Sequence, residues 1–303
     1  MASLLEWGLA AFLIWTAYQR LTLVWHNFGL DARIYINATQ AWLTGSDPWL
    51  AGPPGFQFNA TPPTLLAMLP FAILPGDLGA AVFMGTCVAA AIYVIRTLRL
   101  PWYWLFFLPV VEGVWSGNPN IVVVAAILVG LPWLGALFKL YALIPILTDR
   151  RALATAIVVL GVTAPLVPWL QFAREAQTIL GHHASQNSEA VGAWEVPILL
   201  IPTAIALLAL PRREAAWLAV PTLWPVAPLS YGTFILPVAN PLFAIFVSSD
   251  RKGLSSIAVI LYAIWRHELA LKTYATRAIR TISTKRRVVE SQEPAPGPPS
   301  LNR

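Results

Sequence analysis

Leu78-Gly-Ala-Ala-Val-Phe-Met-Gly-Thr-Cys-Val-Ala-Ala-Ala-Ile-Tyr-Val-Ile-Arg-Thr-Leu98 carries no charge until Arg96. It is as long as the roughly 20 residues a helix needs to cross a bilayer. Runs of similar character stand at 4–24, 152–171 and 231–247. The whole chain of 303 residues agrees with them: 57% is hydrophobic and only 11% charged, against about 25% charged in an average soluble domain. Mean hydropathy is +0.65. Lipid is therefore the expected solvent for most of the chain, and the expected fold class is all-α, a polytopic transmembrane helical bundle.

The net charge of +6 would suggest nucleic acid if the basic residues clustered on one soluble face. They fall instead in pairs between apolar runs, Arg96/Arg99, Arg150/Arg151, Arg212/Arg213 and Arg251/Lys252, so no nucleic-acid partner is expected. Basic loops face the cytoplasm, which leaves the mixed-charge segments 25–62 and 172–194 as outer loops. Spans then alternate as 4–24, 78–98, 101–116, 119–148 (one pass broken at Pro132), 152–171, 195–210, 214–229 and 231–249. The expectation is eight to ten crossings, with 63–75 interfacial and 254–271 a surface-lying or partly inserted helix. Residues 1–271 form the membrane domain. Residues 272–303, basic and then Pro-rich, read as a largely disordered cytoplasmic tail along anionic headgroups. The start lacks a basic n-region and a small-residue cleavage site, so 4–24 is expected to be a retained span. The single cysteine, Cys87, allows neither an internal disulfide nor a cysteine metal site.

The first outer loop holds the densest pattern. Residues 29–45 read as a short helix opened by Asp31, with Asp31, Tyr35, Ala38 and Trp42 on one face. Gly45-Ser-Asp-Pro-Trp49 ends it, a stop-and-turn signal in which Asp47 is a turn residue. Phe56-Gln-Phe-Asn-Ala-Thr-Pro-Pro63 follows. Asn37 and Asn59 begin chance glycosylation sequons.

This order of features resembles the first outer loop of the GT-C superfamily and, more narrowly, glycosyltransferase family 87, the polyprenyl-phosphate-mannose-dependent α-mannosyltransferases. Gly117-Asn-Pro-Asn120 is similar to that family's Gly-Gln-x-Asn, with Asn118 in place of Gln. Lys139, Pro145 and Asp149-Arg-Arg151 are similar to its Lys–Pro–apolar–Arg-Arg run, and Trp224-Pro-Val-Ala-Pro-Leu-Ser-Tyr231 with Pro237 to its late Pro-x-Ser/Trp segment. The resemblance covers residues 10–245 of a chain that is short for the family. It implies a GT-C type bundle in a bacterial plasma membrane with an extracytoplasmic site. It also implies inverting transfer of a hexose, mannose by the resemblance, from a polyprenyl-phosphate donor to a hydroxyl on a glycolipid, glycan or other acceptor, with Asp31 as the base.

The chemistry suits such a residue set. A lipid phosphate is already a good leaving group, so one carboxylate acting on the acceptor hydroxyl suffices, whereas hydrolytic glycosidases use two. For Asp31 the competing reading is an ordinary helix N-cap. Tyr35, Trp42 and Tyr231 are candidate substrate contacts or interfacial aromatics. Asn59, Asn118 and Asn120 offer hydrogen bonds to sugar hydroxyls, and the last two can instead cap a helix. Glu112 lines the site from behind or sits at the headgroup boundary. Lys139, ionisable within a span, is a functional candidate or snorkels to an interface. Arg174, His182 and His183 offer phosphate contacts from the second outer loop or belong to a solvated surface. The two histidines lack a third ligand, and no metal or cofactor is expected.

Phosphate-cradling glycine loops, zinc-protease and hydrolase-elbow motifs are missing from the sequence, and no soluble stretch is long enough for a nucleotide-sugar domain. Two other functions remain in view: a secondary transporter or lipid-linked-sugar flippase, against which the lack of an internal repeat counts, and an inactive scaffold.

Overall fold

The computed structural model describes residues 2–52, 56–186, 192–249 and 251–268, and among them there is helix and no strand. Along the chain lie α1 (Ala2–Val24), α2 (Leu30–Leu43), α3 (Pro63–Ala72), α4 (Leu78–Thr97), α5 (Leu108–Ser116), α6 (Asn120–Leu128) and α7 (Pro132–Phe138). After them come α8 (Leu143–Ile146), α9 (Arg150–Thr163), α10 (Trp169–Gln186), α11 (Leu200–Ala209), α12 (Arg212–Leu223) and α13 (Pro241–Val247). Residues 1–260 form one compact unit. Of the second unit, 261–303, residues 261–268 are described, and they are helical. The expected tail, 272–303, lies outside the described residues.

The quoted stretch forms α4 almost to the residue, and this helix is long and apolar enough to cross a membrane. Two bent pairs satisfy the same requirement if each counts as one span: α5 with α6, turned by 110°, and the α9 region with α10, turned by 98°. α1 has the length but carries Gln19 and Arg20 in its last turns. The sequence expectation of straight, alternating passes therefore differs from what the chain builds. The run 101–116 is a 3₁₀ segment (Trp102–Phe106) followed by α5. The run 119–148 is not one pass broken once but three short helices, α6, α7 and α8. Pro132 does mark a break, as the first residue of α7, where its missing N–H costs no hydrogen bond. The run 231–249 is a 3₁₀ segment, Leu229–Val238, and then α13. Alternation puts Glu195 and Lys252 on opposite faces, yet Lys252 Nζ lies 3.0 Å from Glu195 Oε2. Segment 172–194 is mostly not a loop, since α10 runs on to Gln186.

Local chemistry explains the ends. α4 closes when Leu100 N–H donates to Ile95 O at 3.0 Å, with Arg99 at φ 54° in the position glycine usually takes. α2 and α5 end the same way with glycine: Ser46 N–H donates to Ala41 O at 2.8 Å around Gly45, and Asn118 N–H to Gly113 O at 2.7 Å around Gly117. α4 is the central element. Phe83, Cys87, Ala91 and Val94 are buried on it, and it packs against α2, α3, α5 and α6. α7 lies between α6, α9 and α3. It is tied to α3 where Thr64 Oγ1 donates 2.8 Å to Phe138 O. The last turn of α1, the first turn of α2, the end of α5, the start of α6 and the break after α7 all meet around one hollow.

Candidate functional site

That hollow is a cavity of about 470 Å³, within the size range of small-molecule sites. Of the residues singled out in the sequence, Asp31, Tyr35, Asn59, Glu112, Asn118, Lys139 and Tyr231 all line it. They come from segments spread over the chain, brought together by the packing just described.

Asp31 is the second residue of α2, not its N-cap. Gly29, at φ 65°, holds the N-cap place and makes no side-chain cap. The carboxylate turns away from its own helix. Oδ2 accepts two hydrogen bonds, from Ser116 Oγ and from Asn118 Nδ2, each 2.9 Å. Oδ1 has no hydrogen-bond partner among the described residues. One oxygen is thus held in place while the other is open to an incoming hydroxyl. Burial pushes the Asp31 carboxyl above the ordinary carboxylate range. The hydrogen bonds from Asn118 and Ser116 and the charge of Lys139 pull it back part of the way.

The pair of donors depends on Gly117 between them. With φ +76°, it closes α5 and lets the turn press on α2: a Cβ there would stand 2.6 Å from Ala32 Cβ. Gly29 N–H donates 2.9 Å to Trp115 O and locks the two elements together. Asn118 serves twice, since its Oδ1 also accepts from Asn120 N–H at 3.2 Å at the start of α6. One side chain thus joins the Asp31 carboxylate to the first turn of α6.

Lys139 sits at the break after α7, in extended backbone (φ −150°, ψ 121°), and is buried. It does not reach out to an interface. Its ammonium donates to Tyr35 Oη and lies 5.0 Å from the centre of that ring. The break lines the cavity. Across the hollow, Arg20 Nε donates 2.7 Å to Glu112 Oε2. The cavity therefore carries carboxylates and cations side by side, with aromatic walls from Tyr35, whose ring meets Phe58 edge-on at 5.6 Å, and from Tyr231, 4.5 Å from the ring of Tyr141.

Three expected contacts, Asn120, Trp42 and Arg174, are not in the wall. Asn120 is fully buried just behind it, donating 3.1 Å to Ser230 Oγ and accepting from Tyr141 Oη; it braces the site and does not face it. Trp42 is at the far end of α2, about 16 Å along the axis from Asp31 by helical rise. Arg174 is exposed on α10 and does not line the cavity. His182 and His183 fall in the last turns of α10, and their side chains lie outside the described residues. Asp47 is the expected turn residue, its Oδ1 accepting from Trp49 N–H at 2.8 Å. The structure adds Arg20, Ser116 and Ser230 to the wall. Arg20 and Ser116 had a detectable signal, a cation at the end of an apolar run and a hydroxyl next to Gly117, and Ser230 stands in the late segment Trp224–Tyr231 that carries part of the resemblance. Among the described residues no group of three metal-ligating side chains gathers. Comparison with protein-family models, curated proteins and solved structures finds no match for this chain.

Proposed function

We propose that the chain is a membrane-embedded inverting glycosyltransferase of GT-C type. It moves a hexose, mannose by the sequence resemblance, from a polyprenyl-phosphate donor to an acceptor hydroxyl on the extracytoplasmic side. The observation that carries this reading is Asp31, fixed through Oδ2 by Ser116 and Asn118 and open at Oδ1, in a cavity it shares with Lys139 and Arg20.

In the proposed reaction Oδ1 accepts the proton of the acceptor hydroxyl as its oxygen attacks the anomeric carbon, and the lipid phosphate leaves from the opposite face. One displacement inverts the centre. Burial raises the basicity of Asp31, which suits a base working near neutral pH. Lys139 and Arg20 bring positive charge to the departing phosphate, at the place where charge develops. The finer topology belongs to the same proposal. Eight to ten crossings are part of it, and α4 with the two bent pairs supplies up to three of them by length and composition. The lipid-facing surface includes Ile198, Ile201, Ile205 and Leu208 around α11, exposed by 81%, 72%, 61% and 86%. Such a stripe would be costly in water and is ordinary against lipid.

The test is transfer of label from polyprenyl-phosphate-[14C]mannose to a membrane lipid extract by purified protein in nanodiscs, with Asp31→Asn beside the wild type. Label moving to a new product with the wild type and not with the variant supports both enzyme and base. Equal transfer by both removes Asp31 from the role. The bent helices and the lysine in a helix break also suit a transporter or lipid-linked-sugar flippase; movement of the donor across a liposome bilayer without transfer would favour that second reading.

A further inference from the structure

A second cavity, about 890 Å³, opens at the other ends of α6, α7 and α12 from the one holding Asp31. Its mouth carries Arg150 and Arg151 at the start of α9 and Arg213 at the start of α12. These belong to two of the basic pairs that the sequence assigns to the cytoplasmic side, and the fold brings them to one rim. None of the three guanidiniums has an ion pair or hydrogen bond among the described residues. Asp149 lines the same cavity; its Oδ1 accepts from Arg151 N–H at 3.0 Å and Ala152 N–H at 3.1 Å, capping α9, and it makes no ion pair with the arginines. Three guanidiniums against one carboxylate leave an excess of positive charge in the lining. The rest of the lining mixes apolar side chains, among them Trp133, Ile146 and the buried Trp217, with the hydroxyls of Thr148 and Thr155.

We infer that this cavity binds a phosphate group carried on an apolar chain, the chemistry of an anionic phospholipid or a polyprenyl phosphate. Guanidinium groups match phosphate with paired, charge-assisted hydrogen bonds. Three of them from two helices hold it at a point. An uncharged, Trp-bearing interior beneath a cationic rim matches an amphiphile and not a free anion. Basic pockets between membrane helices on the cytoplasmic side are of this kind. The site is distinct from the Asp31 cavity, and its occupancy does not require that the first cavity catalyse anything.

The test is native mass spectrometry of the full chain in detergent. The added probes are phosphatidylglycerol, undecaprenyl phosphate, phosphatidylcholine and inorganic phosphate, each alone. Phosphatidylglycerol or undecaprenyl phosphate should remain bound to the wild type. The triple variant Arg150→Gln/Arg151→Gln/Arg213→Gln should weaken phosphatidylglycerol binding at least tenfold and should lose one bound copy of undecaprenyl phosphate, the copy proposed for the Asp31 cavity remaining. The triple Arg→Lys variant, which keeps the charge and loses the paired guanidinium geometry, should bind phosphatidylglycerol with intermediate affinity, which separates loss of charge from loss of fold. Retention of both anionic lipids by the Gln variant at wild-type strength overturns the inference. So does phosphatidylcholine binding as tightly as phosphatidylglycerol, or inorganic phosphate binding as tightly as the lipids.

Discussion

Gly117→Ala isolates the geometric core of the proposed site. Two effects follow from the structure. The first is local: alanine at φ +76° costs about 1–2 kcal/mol relative to glycine. The second is specific to this glycine. The new Cβ would lie 2.6 Å from Ala32 Cβ and 3.2 Å from Ala32 N, whereas carbon atoms rest at about 3.5–4.0 Å. Ala32 is fully buried and cannot step aside, so the turn must move by about 1 Å. That turn carries Ser116 and Asn118, and Ala32 adjoins Asp31, so both sides of the hydrogen-bonded pair are disturbed. A displacement of about 1 Å at a reacting group costs on the order of 10²-fold in rate. Gly45→Ala is the control. Gly45 closes α2 by the same hydrogen-bond pattern at φ +77°, but an added Cβ meets nothing within 4 Å. In thermal unfolding in detergent Gly45→Ala should show the backbone cost alone, and Gly117→Ala that cost and a further loss from the clash with Ala32. Only Gly117→Ala should lose about 10²-fold in mannosyl transfer. Equal transfer by the two variants would refute the claim that this close approach positions the base.

Two further outcomes follow. Because burial holds the Asp31 carboxyl above its ordinary range, the folded chain binds that proton more tightly than the unfolded chain. The resulting stabilisation is full below the unfolded pKa and is lost as pH rises through the folded one. Asp31→Asn should therefore unfold at a higher temperature than the wild type at neutral pH, with the difference closing on acidification. In the same pH series Asn118→Ala, which removes a donor to the charged form, should move the acid limb of the transfer rate to higher pH. Arg20→Met should destabilise by about 3–5 kcal/mol, the cost of leaving a partly buried carboxylate without its ion partner. The double variant Arg20→Met/Glu112→Leu should recover most of that in denaturant unfolding, and failure to recover would show that Glu112 draws its stabilisation from other neighbours.

The features legible in the sequence are those that depend on a residue and its near neighbours. Apolar composition and a helical period mark an all-helical chain in which α4 is long enough to span. Pro132, Gly45 and Gly117 mark where helices begin or end, because missing donors and positive φ act within a few residues. An ionisable Lys139 inside an apolar stretch and an Asp31 beside a turn stand out for the same reason. Length and hydropathy do not register a bend. α5 and α6 are separated by a tight turn and cross at 110°, and a run that appears continuous is folded back on itself. Which polar groups share a cavity was decided only in three dimensions. Asp31 meets Ser116 and Asn118, Arg20 meets Glu112, and Lys139 meets Tyr35, while Trp42, on the predicted face of the same helix as Asp31, is carried away by helical rise. A periodicity says which side of a helix is alike. The neighbour that side meets is set by close packing between elements far apart in the chain, and that packing gathered one set of charges around the Asp31 cavity and left the arginines of another at the opposite ends of α6, α7 and α12.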